Sequence, residues 1–202
     1  DLLVLEGFLN SSTATRFMHL LAPRLDFKLG HVLSLPIRVR ESDRISFLVT
    51  QCIALSKQDW DEGELSVDFS ASPLLHNGRS LDAAAEKACR TEDSRSQSLA
   101  GAEEEIDRFY ATAYLNDKEY NLAARLSTPA SLDLRKREHV RNLVSYAVGC
   151  MFGRYSLDTP GLILADQGAS IQEYLAKVAA PSFEPDTDNV LPLVDGDWFE
   201  DD

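Results

Sequence analysis

Residues 81–113, LDAAAEKACRTEDSRSQSLAGAEEEIDRFYATA, carry a seam whose members are spaced alternately by four and three positions. The seam consists of Leu81, Ala85, Ala88, Glu92, Arg95, Leu99, Ala102, Ile106, Phe109 and Ala113. This heptad spacing places one side of a helix against a neighbouring helix. We therefore predict one nearly continuous helix over 81–113, on the order of 50 Å long, with Gly101 as its weakest point.

The first half of the seam is small (Ala85, Ala88) and its middle is polar (Glu92, Arg95), which favours packing against one neighbour over full enclosure. The neighbour could belong to the same chain or to a second copy. We prefer an antiparallel hairpin within one chain to a zipper between two chains, and therefore expect a monomer.

Other amphipathic patterns lie on both sides of this helix. One follows the capping residues 10–12 and ends before Pro23, a second follows Ser42, and a third covers about 140–151. Their apolar positions are Ala14, Phe17, Met18 and Leu21, then Ile45, Leu48, Val49, Cys52 and Ile53, and finally Val140, Leu143, Val144, Ala147, Val148 and Met151. A short helix is expected at 168–178.

Two regions break the helical pattern. Leu25, Phe27 and Leu29 alternate with polar residues, which predicts a short half-buried strand. The polar, irregular sequence of residues 58–80 predicts a long loop. We expect Trp60 and Phe69 to anchor this loop by packing against the helices. We therefore expect a mainly α fold, in which long helices form a hairpin or bundle spacer with a short α/β remnant at the N-terminus.

The charge is unevenly distributed along the 202 residues, whose net charge is −13. Residues 1–58 carry seven Lys or Arg against five acids, whereas the remainder carries 13 against 28. A surface for phosphate is best sought in the first 58 residues and around 135–137. The chain lacks an apolar run of about 18 residues, so we expect a protein without a membrane span.

The cysteines and histidines point to no metal site. Cys52, Cys89 and Cys150 are an odd number and lie in helical patterns, which is typical of reduced core cysteines in a cytoplasmic protein. The four histidines show no zinc-ligand spacing, and the acidic residues of 59–68 lack the EF-hand pattern.

A strip of small residues at Ser145, Gly149 and Gly153 follows the spacing i, i+4, i+8. Such a strip lets another backbone approach closely. We favour close packing within the protein, with an approach of DNA or a partner as the alternative.

Three segments carry a family resemblance. They are VSYAVGCMFGRYSLD at 144–158, the pattern DWD…E-x-S-x-DF…PLL at 59–75, and the acidic end PDTDNV…DWFEDD at 185–202. Together they resemble the large adenine-N6 DNA methyltransferases of BREX phage-resistance systems. The pattern FLNS…AP-x-L-x-F-x-x-G…LPI at 8–37 resembles the tail of target-recognition domains in type I specificity subunits and type IIG methyltransferases.

The resemblance implies a parent enzyme that transfers a methyl group from S-adenosylmethionine to adenine in double-stranded DNA. This chain has no Pro-Pro and no G-x-G, so it lacks both the motif that grips a flipped adenine and the cofactor turn. We therefore expect neither catalytic nor cofactor-binding residues here, and a segment cut from a longer polypeptide. The expected domains are a recognition-domain tail (1–40), a helical spacer (41–180) and an acidic extended segment (181–202).

Four basic residues flank the predicted strand, and they are the candidates for DNA phosphate contacts: Arg24, Lys28, Arg38 and Arg40. Each could equally be an ordinary solvated surface charge. The alternative function is a helical protein-interaction scaffold that docks other defence-system components, and a small independent enzyme ranks third because its motifs are missing.

Overall fold

The computed structural model of the chain describes residues 2–23, 28–38, 42–75, 80–115, 130–166 and 168–186. Within these ranges the secondary structure is helical, without a strand, which confirms the mainly α fold class. The helices are α1 (Leu2–Leu9), α2 (Ser12–Leu21), α3 (Leu29–Leu33), α4 (Asp43–Asp61), α5 (Leu81–Leu115), α6 (Leu132–Met151) and α7 (Ile171–Lys177).

The expected α/β remnant is not seen in the described part of the chain. Leu29, predicted to end a strand, instead begins α3, and residues 24–27 lie outside the described ranges. The backbone at α3 is satisfied locally, because Ser34 donates to the Gly30 carbonyl through both its N–H (3.2 Å) and its hydroxyl (2.8 Å). A strand would have needed these hydrogen bonds from a neighbour.

The prediction of one nearly continuous helix over 81–113 is confirmed, since α5 runs for 35 residues through Gly101. The chain divides into two compact units, Asp1–Asp59 with Arg90–Pro129 and Trp60–Cys89 with Ala130–Asp202, and α5 contributes to both. The seam packs within the chain in each of them. Ala102 and Ile106 are buried in the first unit, and Ala85 and Ala88 in the second.

The core of the first unit forms where α1, α2 and α4 meet the second half of α5. Tyr110 lies at its centre, with its ring 5.5 Å from Phe8 and 5.1 Å from Phe109 between centroids. Its hydroxyl donates a 2.6 Å hydrogen bond to the buried carbonyl of Val4. The remaining buried members of this core are Ala14, Met18, Leu35, Ile45, Leu48, Val49, Ala102 and Ile106.

Serine caps determine where several helices begin, as the sequence predicted. The hydroxyl of Ser11 accepts from the Ala14 N–H at 3.2 Å, and that of Ser42 accepts from the Ile45 N–H at 3.3 Å. The buried carboxylate of Asp107 accepts from the Ser12 N–H at 2.7 Å, which anchors the start of α2 to α5.

In the second unit, the apolar face predicted for α6 is only partly buried: Val140, Leu143 and Met151 are half-buried, but the rest of that face is exposed. Val144 is 58% exposed and Val148 is also exposed, whereas the helix buries His139, Tyr146, Gly149 and Cys150. The physical reason is that α6 packs against the aromatic residues Phe69 and Tyr155, which fit its aromatic and glycine positions rather than its branched aliphatic ones.

Of the two residues predicted to anchor the 58–80 loop, one is confirmed and the other is wrong. Phe69 is buried, in edge-to-face contact with Tyr146 and Tyr155 at centroid distances of 5.9 and 5.3 Å. Trp60 is 59% exposed and belongs to α4, which continues to Asp61.

Among the described helices, none combines the length and the apolarity that a bilayer crossing requires.

Candidate nucleic-acid interface

The structure describes two of the four basic residues that the sequence singled out. Lys28 is exposed at the start of α3, where its backbone N–H donates to Nδ1 of His31 at 3.3 Å. Arg38 is also exposed, and its backbone N–H donates a 2.6 Å hydrogen bond to the hydroxyl of Tyr114 on α5. Arg24 and Arg40 lie outside the described residues.

Arg38 opens onto a cleft of about 730 Å³ in the first unit. Two further arginines line this cleft, Arg44 from the first turn of α4 and Arg108 from α5. Lys28 is not among the described residues that line it. We call this site the arginine cleft and define it by Arg38, Arg44 and Arg108.

Carboxylates hold two of the three guanidinium groups. Arg44 makes two hydrogen bonds to Glu105, from Nε to Oε1 at 2.7 Å and from Nη2 to Oε2 at 2.6 Å. Arg108 donates from Nη2 to Oε1 of Glu104, one turn earlier on α5. The hydrogen bond from Arg44 lowers the pKa of the Glu105 carboxyl, and the pKa of Arg44 is raised in turn.

These ion pairs are at the surface, with the Arg44 and Glu105 side chains 60% and 44% exposed. Exposed pairs of this kind hold their partners weakly, because water competes for both charges and salt screens them. The guanidinium groups can therefore turn to another anion without leaving a buried charge behind.

Sequence reasoning missed Arg44 and Arg108 as members of this site. Arg44 contributed only to the positive balance of residues 1–58, and Arg108 lies in the acidic remainder of the chain, directly after the acidic run 103–105 and Asp107. The packing of α4 against α5 brings them to one cleft, and no local motif encodes that meeting.

The second basic cluster, residues 135–137, is less available for binding a phosphate. Lys136 is only 19% exposed on its side chain, and its Nζ lies 2.9 Å from Oδ1 of Asp82. The hydrogen bond to Asp82 raises the pKa of Lys136. Arg135 is half-buried, which leaves Arg137 as the exposed member.

The segment 144–158 forms the end of α6 and the turn after it, and close packing is confirmed at Gly149 and Gly153, whereas Ser145 is exposed. A Cβ on Gly149 would lie 2.5 Å from Cδ2 of Tyr155, so the aromatic ring covers this glycine. Gly153 has a φ of +71° and is enclosed by Tyr174, Leu164 and Pro185.

Hydrogen bonds complete this turn. The carbonyl of Gly149 accepts from the N–H of Arg154 at 2.7 Å and of Tyr155 at 3.3 Å. The hydroxyl of Tyr146 donates to the carbonyl of Ser156 at 2.8 Å, and burial raises the pKa of Tyr146 above its ordinary range. A buried, hydrogen-bonded phenol of this kind holds the turn in place and offers no ready proton at neutral pH.

No family model matches the chain. It is 32% identical over 207 residues to the adenine-specific methyltransferase PglX of Lacticaseibacillus casei (strain Zhang), a match that covers 100% of this chain. It is 30% identical over 210 residues to the adenine-specific methyltransferase BrxX of Escherichia coli O9:H4 (strain HS), with 96% of this chain covered. The chain spans 17% of the length of each relative. The resemblance to the BREX adenine-specific methyltransferases is thus confirmed, and the chain is related over nearly all of its length to one segment of these proteins.

Proposed function

We propose that the chain is a non-catalytic region of a site-specific adenine-N6 DNA methyltransferase used in phage defence. The observation that carries the proposal is the full-length match to a 17% segment of two adenine-specific methyltransferases, in a chain without the cofactor turn or the adenine-gripping motif. The longer enzyme would take S-adenosylmethionine as cofactor and double-stranded DNA as substrate.

In this proposal the chain supports DNA recognition and spaces the recognition lobe from the catalytic domain. Residues 1–40 form the tail of the target-recognition domain, residues 41–180 the helical spacer, and residues 181–202 an acidic segment beyond it. The 35-residue α5 supports the spacer role, because a helix of that length extends on the order of 50 Å.

The proposed DNA contacts are Lys28 and Arg38 with Arg24 and Arg40, acting on phosphates rather than base edges. The two described side chains are exposed, and their part of the chain is the positively charged one. Phosphate contacts position a protein on the duplex and release counterions, which makes affinity fall steeply with salt.

A quadruple alanine variant of Arg24, Lys28, Arg38 and Arg40 in the full-length enzyme tests this proposal. We expect weaker DNA binding, with a plot of log affinity against log salt that is flatter by up to about four units of slope. The alanine variant of residues 135–137 is the control and should change the slope less, because Lys136 is held by Asp82 and Arg135 is half-buried. An unchanged slope in the quadruple variant would contradict the proposal.

A separate prediction concerns the chain by itself. The 202-residue chain should neither bind S-adenosylmethionine nor methylate DNA, because the residues that perform both tasks are missing from its sequence. Isothermal titration calorimetry with the cofactor should show no heat of binding, and a radiolabelled methyl-transfer assay should show no incorporation. Micromolar cofactor binding would show that the chain holds a site its sequence does not reveal.

One observation favours the second candidate function, a scaffold that docks another protein of the same defence system. The exposed side of α6 carries Val144, Ala147 and Val148 as neighbours, and Phe152 is exposed just after the helix. The test is binding of the chain to such a protein. Binding that does not depend on salt concentration and that is abolished by Val144→Lys would support the scaffold function over the DNA-contact function.

A further inference from the structure

Three arginines line the arginine cleft, two of them close together in the sequence and the third on α5. Arg38 follows α3, Arg44 lies in the first turn of α4, and Arg108 lies in the second half of α5. Among the described residues that line the cleft, these three cations face one carboxylate, that of Glu105. The cleft is therefore a local positive site in a chain whose net charge is −13.

The donors that line the cleft suit an oxyanion with several oxygens, such as a phosphate. A guanidinium presents several N–H donors in a planar fork that matches two oxygens of one phosphate. Arg38, Arg44 and Arg108 bring three such forks to the lining of one cleft. The hydroxyls of Ser42 and Tyr114 also line the cleft, as does the N-terminal turn of α4, whose helix dipole favours an anion at that end.

The carboxylates of Glu104 and Glu105 occupy two of the three guanidiniums when no DNA is bound. Both ion pairs are solvent-exposed, so an incoming phosphate can replace a carboxylate without a buried charge being left unpaired. The displaced carboxylates stay near the cleft and repel the phosphate. Their presence should therefore weaken binding.

We propose that the arginine cleft binds a backbone phosphate of the DNA, with Arg44 and Arg108 as contacts in addition to Arg38, and that Glu104 and Glu105 compete with the phosphate and lower the affinity. This inference rests on the proposed function and extends it to a defined site. It predicts that the two arginines strengthen DNA binding and that the two glutamates weaken it.

Alanine substitution of Arg44 and Arg108 in the full-length enzyme tests the first half of the proposal. The double variant should bind a short duplex more weakly, with a salt slope reduced by up to about two. Arg141→Ala is the matched control, because Arg141 is also an exposed helical arginine paired with a glutamate, Glu138, and it lies outside the cleft. It should leave the slope unchanged.

Glutamine substitution of Glu104 and Glu105 tests the second half. It removes the competing charges while it keeps the size of the side chains, so DNA binding at low salt should tighten, by roughly three- to tenfold. A matched control is Glu138→Gln, which should leave the affinity unchanged. Thermal unfolding of each variant will show that the fold is intact.

The outcomes separate this inference from the proposed function. If the quadruple variant flattens the salt slope and the Arg44/Arg108 variant does not, Arg44 and Arg108 make no phosphate contact, so this inference fails and the proposed function stands. If neither variant changes the slope, both are overturned. If Arg141→Ala lowers the slope per charge as much as the cleft variant does, the effect is one of overall charge and the cleft assignment fails.

Discussion

Replacing Gly149 with alanine is expected to lower the free energy of unfolding by about 2–3 kcal/mol, through overpacking of the interior. The added Cβ would lie 2.5 Å from Cδ2 and 2.9 Å from Cε2 of Tyr155. The ring cannot easily give way, because it is buried and stacked on Tyr146 at a centroid distance of 5.2 Å. Urea unfolding of the 202-residue chain, followed by circular dichroism, measures the change.

Gly101→Ala is the matched control, because it makes the same chemical change in the middle of α5. Nothing lies within 4 Å of the Cβ position at Gly101, so the substitution should stabilise the helix by about 0.5–1 kcal/mol. The opposite signs would show that the enclosure of Gly149, and not glycine replacement in a helix as such, causes the loss. A neutral Gly149→Ala would mean that the Tyr155 ring is free to move.

Removal of the Tyr110 side chain should have the largest effect of any single substitution in the first unit. Tyr110→Ala is expected to cost about 3–5 kcal/mol, in the range of large aromatic truncations in protein cores. The variant loses the ring contacts with Phe8 and Phe109 and the hydrogen bond to the Val4 carbonyl. Tyr110→Phe keeps the ring and should cost about 0.5–1.5 kcal/mol, the net contribution of one intramolecular hydrogen bond, because the Val4 carbonyl lies within α1.

The pH dependence of stability gives a second readout of the same residue. Burial raises the pKa of Tyr110 from its ordinary value of 10.0 to about 12. Between those values the unfolded chain releases the phenolic proton while the folded chain retains it, so stability falls as the pH rises through that window. The measurement is the urea midpoint of unfolding at about pH 9 and at about pH 11. Tyr110→Phe should show a smaller decrease in this midpoint between the two pH values than the unsubstituted chain does. A fall as steep as that of the unmodified chain would assign the alkaline sensitivity to other tyrosines.

Five of the seven described helices, α2 and α4 to α7, could be predicted from the sequence because their signals are local, whereas α1 and α3 were not predicted. The spacing from Leu81 to Ala113 and the caps at Ser11 and Ser42 depend on neighbours within a few positions, and all are present in the structure. The buried face of α6 could not be predicted in the same way. Its branched aliphatic residues gave the stronger pattern, but burial follows the shape of Phe69 and Tyr155, which a helical repeat does not report.

The candidate site shows the same division between local and distant information. Arg38 could be singled out because it lies in the positively charged part of the sequence. Arg44 and Arg108 could not be singled out. Arg44 and its partner Glu105 are 61 positions apart, and the acidic neighbours of Arg108 in the sequence give no sign of a positively charged cleft. The resemblance identified the family, but it could not show that Gly149 is covered by a tyrosine ring.

The order in which the two units use the chain bears on how the protein is made. The first unit takes residues Asp1–Asp59 and then Arg90–Pro129, so its core has no Tyr110 until long after α4 has left the ribosome. At about 5–20 residues per second, translation from residue 59 to residue 110 takes roughly 3–10 s. During that interval the apolar faces of α1 and α4 lack the residues of α5 that cover them, so the nascent chain exposes apolar surface that a fully synthesised chain buries.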